Sequence, residues 1–301
     1  MAENELKRLQ QRISDLETEL KVKDGDLGLF KDEIVKLNIR LMKLIEKITA
    51  EITTATSIHK ILVPTEIPNI PGFDFSTKFE ASSISGGDYY DIFELENKFR
   101  FGVILSSSSN YGMSSLLLAI FLKLSGQMEA KRGSAAHKIM EMVAGEVVRN
   151  LKDSQIVETS SVFYGSVDRR RFDFDFCHVG NIEAIHFKYG ADSLDRLEAA
   201  GDMFTKNFKT PLVSQTISLN PRDRVILCSP GVFDAKNASG EGFGLDRLYK
   251  VVIENSKAAT HDLRNEIFYQ IKKFSGEQEL TRDLTVLVME VQDRVIKLAH
   301  N

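Results

Sequence analysis

Apolar residues over the first fifth of the chain recur at alternating spacings of three and four: Leu6, Leu9, Ile13, Leu16, Leu20, Leu27, Phe30, Ile34, Leu37, Leu41, Leu44 and Ile48. Lys23 and Glu51 are the two breaks in the series. With charged flanks such as Glu5, Arg12, Glu17, Glu19, Lys31, Glu33 and Arg40, this pattern predicts a coiled-coil helix. So narrow a seam needs a second helix to cover it, so residues 3–52 are expected to form a homodimer, with the helices parallel. The alternative is one long helix folding back on its own domain. Gly25 and Gly28, beside Asp24 and Asp26, each cost about 1 kcal/mol relative to alanine, and a hinge or frayed stretch is expected there.

The heptads stop near Ala55, and Pro64, Pro68 and Pro71 exclude a continuing helix, so 56–71 reads as a linker. Residues 72–301 read as one domain. Strands are predicted over 73–79, 89–95, 99–105, 161–168, 172–179, 182–188, 215–219, 224–228 and 285–291, with the sharpest alternation in Phe172-Asp-Phe-Asp-Phe-Cys177. Those aspartates read as a solvated face. Ser106–Gly112 (SSSSNYG) reads as a polar turn, followed by helices over 114–131 and 134–151; another is predicted near 261–274. Strands joined mostly by tight turns, with helices between them, predict an α+β fold with antiparallel sheets inside and helices outside.

Charge and composition narrow the partners. The 301 residues carry a net charge of −4, which favours neither nucleic acid nor an anionic membrane. No apolar run approaches the ~18 residues of a membrane span, and the opening MAENELKRL is too polar for a secretory signal, so a cytoplasmic location is expected. Cys177 and Cys228 lie in predicted strands without metal-ligand spacing and are expected to be reduced thiols. The serine turn lacks the lysine of a phosphate-cradling loop.

Four motifs remain: Gly86-Gly-Asp-Tyr-Tyr-Asp91, the Ser106–Gly112 turn, Ser229-Pro-Gly-Val232 with the following DAKNASGEGFG, and Thr281-Arg-Asp-Leu-Thr285. In this order, from about Ile61 to Val291, the chain resembles the SpoIIE/RsbU branch of the metal-dependent serine/threonine protein phosphatases (PPM family). The resemblance implies a four-layer α/β/β/α sandwich of two antiparallel sheets. It also implies two manganese or magnesium ions held by strand-end aspartates, and a bridging water that attacks phosphoserine or phosphothreonine.

At the positions matching those ligands the chain departs from the family pattern. Ser107 stands at the bridging aspartate, Pro230 replaces the aspartate of Thr/Ser-Asp-Gly-Val, and Arg282 replaces that of Asp-Asp/Asn-x-Thr; Asp88 and Asp283 remain acidic. Two dications ~4 Å apart need several carboxylate oxygens. A guanidinium ~4 Å from a dication costs on the order of 8 kcal/mol at an effective dielectric near 20. The expectation is a pseudophosphatase with no metal cofactor and no catalytic residue, in which Asp88 and Asp283 neutralise Arg282. The resemblance further implies a phosphorylated STAS-domain partner in sigma-factor partner switching; with Arg282 and the polar Ser106–Ser109 at the former site, phosphoserine is expected to be held there without hydrolysis. The alternative is an active manganese- or magnesium-dependent phosphatase, with its ligands in another register or with one ion held by Asp88, Asp91 and Asp283.

Overall fold

An unbroken helix, α1 (Ala2–Leu62), carries the whole heptad series. The computed structural model describes residues 2–62, 64, 66–82, 87–109, 118–123, 132–151, 159–276 and 278–292. By compactness the chain divides into two units, Met1–Thr54 and Ala55–Asn301. The helix outlasts its expected end near Ala55 and takes in the first part of the expected linker, because residues 56–62 hold no glycine or proline and Pro64 is the first residue that cannot donate to the helix. Its seam residues are between 46 and 65 % exposed. No helix among the described residues is long and apolar enough to cross a membrane.

The helix also continues through Gly25 and Gly28, where an added Cβ would meet nothing within 4 Å. Substituting both by alanine is therefore expected to stabilise the helix by about 1 kcal/mol per site. The check is a far-UV melt, with amide exchange over 22–29 slowing to the rate of the flanking heptads.

The second unit is built on ten strands: β1 (Phe73–Glu80), β2 (Tyr89–Glu94), β3 (Arg100–Ser108), β4 (Ser160–Asp168), β5 (Asp173–Val179), β6 (Glu183–Lys188), β7 (Ser193–Arg196), β8 (Gln215–Ser218), β9 (Arg224–Cys228) and β10 (Leu284–Val291). They form two five-stranded antiparallel sheets, ordered β1-β10-β9-β6-β7 and β2-β3-β4-β5-β8. The alternating residues of each strand place one set between the sheets, where Phe101, Val103, Phe163 and Phe176 meet Val225, Leu227 and Leu287. The outer face of the β2–β8 sheet packs on a helical turn at 118–121 and on α2 (Ala136–Leu151). The outer face of the other sheet packs on α3 (Pro230–Asp234), α4 (Gly244–Glu254) and α5 (Thr260–Ser275). This is the expected four-layer sandwich.

Some local expectations change. β3 runs on to Ser108, so Ser106, Ser107 and Ser108 are buried strand residues rather than a solvated turn, each opposite a residue of β4. In this register the Ser108 hydroxyl lies 3.3 Å from that of Ser160. Phe172 falls in the β4–β5 turn at φ 59°, so β5 begins at Asp173. Asp175 is more than a solvated residue, because its Oδ2 accepts the Ala136 N–H at the start of α2 at 3.0 Å. Of the helix predicted over 114–131, only 118–123 is described; Asn110, Gly112 and the Ser114-Ser115 caps lie outside the described residues. Cys177 and Cys228 are free, buried thiols.

Candidate functional site

The sandwich brings four strand ends together. Ser107 stands near the end of β3, Ser229 follows β9, Asp88 precedes β2, and Asp283 and Thr285 flank the start of β10. Residues 229 and 285 extend the β9–β10 pairing: the Ser229 N–H donates to the Thr285 carbonyl and the Thr285 N–H to Ser229 Oγ, each at 3.0 Å. Gly231 lets this corner close, since an added Cβ there would lie 2.0 Å from the Asp283 carbonyl oxygen.

Two carboxylates are buried at this corner, both 1 % exposed. Asp283 holds three residues by their backbone: Oδ1 accepts the Ser82 N–H at 2.8 Å, and Oδ2 accepts those of Gly87 at 2.8 Å and Asp88 at 3.1 Å. Asp88 accepts the Thr285 hydroxyl at 2.7 Å. Burial, and then the neighbouring Asp283 charge, push the Asp88 carboxyl up from 3.8 to about 7 against the pull of the Ser107, Ser229 and Thr285 hydroxyls.

That shift has a sign. The folded chain holds the Asp88 proton more tightly than the unfolded chain, so its contribution to stability is complete below pH 3.8 and is lost as the pH rises to about 7. The loss is on the order of 4 kcal/mol. Asp88→Asn cannot ionise and is expected to match the natural chain near pH 4 and to be the more stable near pH 8, by ~2–4 kcal/mol. Denaturant melts at the two pH values check this; equal stabilities near pH 8 would refute it.

The other positions singled out from sequence are distributed differently. Pro230 opens α3 and is buried beside Ser229, offering no donor atom. Arg282 does not serve to neutralise Asp88: Nη1 reaches Asp234 Oδ2 at 3.2 Å, and its side chain is 26 % exposed. Asp91 faces the outer side of its sheet, where Oδ2 accepts the Tyr89 hydroxyl at 3.0 Å and lies 3.7 Å from Lys123 Nζ. It does not join Asp88 and Asp283. Ser229 and Thr285 are the members that sequence reasoning passed over, although both lie inside the four motifs.

A pair of dications needs a shell of anionic oxygens. Here the residues offered are a hydroxyl at 107, a ring at 230, a guanidinium at 282, a carboxyl that holds its proton to about pH 7 at 88, and a carboxylate already accepting three N–H groups at 283. This set does not fit the centre that the family resemblance implies. Among the described residues, no group of three or more His, Cys, Asp or Glu side chains could hold a metal ion.

The sequence model of the family described as Stage II sporulation protein E (SpoIIE) matches residues 98–292. This chain belongs to the SpoIIE family. Solved structures similar to this SpoIIE-family chain include the SiaA-PP2C domain of Pseudomonas aeruginosa, at TM-score 0.66 and 16 % identity over 81 % of this chain and 97 % of that one. The RsbU and RsbW domains of a Mycobacterium tuberculosis protein match at TM-score 0.63 and 18 % identity, over 78 % of this chain and 64 % of that one. The phosphatase domain, with part of the regulatory domain, of SpoIIE from Bacillus subtilis matches at 0.60 and 13 %, over 74 and 65 %. At these identities the likeness establishes the shared PPM-type fold. Protein IcfG of Synechocystis is 19 % identical over 284 residues, 83 % of this chain but 44 % of that protein, so the chain spans less than half of that relative.

Proposed function

We propose that this chain is a non-catalytic SpoIIE-family protein, a phosphatase-like binding module that dimerises through α1 and acts in bacterial partner switching of sigma factors. The observation that carries the reading is the donor set: Ser107, Pro230 and Arg282 stand where the family resemblance places carboxylates, while Asp283 accepts backbone N–H groups including that of Asp88, and Asp88 accepts the Thr285 hydroxyl. A protein fold kept intact around such a corner still presents a surface for a partner. The resemblance points to a serine-phosphorylated STAS-domain protein, and the similar RsbU domain supports a protein partner of this kind. The exposed seam of α1 supports dimerisation, because one chain leaves it uncovered. The reading includes no metal cofactor.

The test is turnover. Purified chain supplied with manganese is expected to release no phosphate from p-nitrophenyl phosphate or from a phosphorylated STAS-domain protein, while retaining the latter in a pull-down. Manganese-dependent release that disappears in Asp88→Ala would instead establish a working phosphatase.

A further inference from the structure

The geometry points to a parallel, in-register pairing of two α1 helices whose alignment is set by a polar layer at Lys23. This rests on the dimer reading above and adds the orientation and the residues that fix it.

The seam assigns Leu6, Ile13, Leu20, Leu27, Ile34 and the residues in step with them to one core position, and Leu9, Leu16, Lys23, Phe30, Leu37 and Leu44 to the other. Lys23 is thus a cation in a row of large apolar side chains. Its ammonium lies 2.8 Å from Glu19, one turn earlier. A lone lysine in the seam weakens the pairing, and its use is to favour one alignment over others.

Flanking charges distinguish the alignments. In a parallel pair, each residue ahead of a core position meets the residue five further on in the second copy. Arg12 then meets Glu17 and Asp26 meets Lys31, both attractive, whereas Glu19 meets Asp24, which is repulsive. That repulsive contact falls beside Lys23. Two ammonium groups therefore enter the place where Glu19 and Asp24 of the two copies converge, and each lysine bridges its own Glu19 to Asp24 of the other copy. The cation that disfavours the apolar seam and the carboxylates that disfavour each other satisfy one another in this register.

Full antiparallel overlap loses this match. Lys23 would lie opposite Ile34 beside the like-charged Asp26 and Glu33; Glu19 against Arg40 and Asp24 against Lys31 would attract, but Arg12 against Lys47 would repel, a like-charge contact the parallel register does not contain.

Cysteine trapping in the full-length chain tests the alignment. Leu37→Cys is expected to give a disulfide-linked dimer on oxidation, because the two copies of residue 37 face each other in a parallel pair. A mixture of Leu20→Cys and Leu37→Cys chains is expected to give no mixed product, since residues 20 and 37 meet only in the antiparallel overlap. Lys23→Leu is expected to raise the melting midpoint while lowering the Leu37→Cys yield, as other alignments or larger oligomers become populated. A dimer by sedimentation that forms the mixed Leu20→Cys/Leu37→Cys product overturns the orientation and leaves the dimer standing. Unchanged trapping yield and stoichiometry in Lys23→Leu overturn the role of the polar layer, and a monomer at all concentrations overturns the dimer reading itself.

Discussion

A chain carrying Ser107→Asp, Pro230→Asp and Arg282→Asp together is expected to bind manganese where the natural chain binds none, as read by plasma mass spectrometry after soaking and gel filtration. Each change replaces a neutral or cationic group with a carboxylate beside Asp88 and Asp283. Removing Arg282 also takes away a cation, paired with Asp234, whose field opposes a dication at this corner. Without metal the same variant gathers like charges at a place where both acids are 1 % exposed, and it is expected to be less stable than the natural chain by ~2–5 kcal/mol near pH 8. Manganese is expected to reverse that loss, because an ion bound only by the folded state stabilises it by mass action. The diagnostic pair is therefore a melting temperature that rises with manganese in the variant and stays constant in the natural chain. A natural chain that takes up manganese as well as the variant would refute the loss of the metal centre, and with it the non-catalytic reading.

Gly231→Ala is expected to cost at least ~4 kcal/mol, enough to remove most of the folded population of an ordinary domain. The added methyl carbon would stand 2.0 Å from the Asp283 carbonyl oxygen and 3.0 Å from its carbonyl carbon. Both obstacles are backbone of the β10 approach, so no side chain can rotate out of the way. Gly242→Ala is the internal control: its Cβ would lie 3.7 Å from the nearest heavy atom, the Phe233 carbonyl oxygen, an ordinary contact. The control should melt within a degree or two of the natural chain, while Gly231→Ala melts far earlier or accumulates as insoluble protein. Similar melting of the two variants would mean that the 229–231 corner does not close on Asp283.

The strands were legible because their period-2 alternation writes burial into the order of residues, as in β3 and β5. Serines 106–108 misled because composition marks serine as a turn former, while a strand end covered on both faces can pair small hydroxyls across the ladder, as Ser108 and Ser160 show. α3 escaped notice because it is five residues long and holds a proline and a glycine; β7, with four residues, lacks enough alternation to register. α4 did leave a signal, Leu248, Val251 and Val252 on one buried face, just behind the glycine-rich DAKNASGEGFG stretch. In the site, Asp88, Ser107 and Asp283 could be placed by motif. Ser229 and Thr285 could not, because their part depends on a cross-strand hydrogen-bond pair between residues 56 apart in sequence. Nor could the partner of Arg282, for charge alone favours the adjacent acid, whereas the fold brings the guanidinium to Asp234, 48 residues earlier in the chain.

The three backbone N–H groups on Asp283 alter what a knockout at that residue would mean. In a relative that works on phosphoserine, an alanine there is read as chemistry removed. Here it would strip the acceptor from Ser82, Gly87 and Asp88 at one stroke and release the approach to β2, so a failed phenotype would report a lost latch in the scaffold.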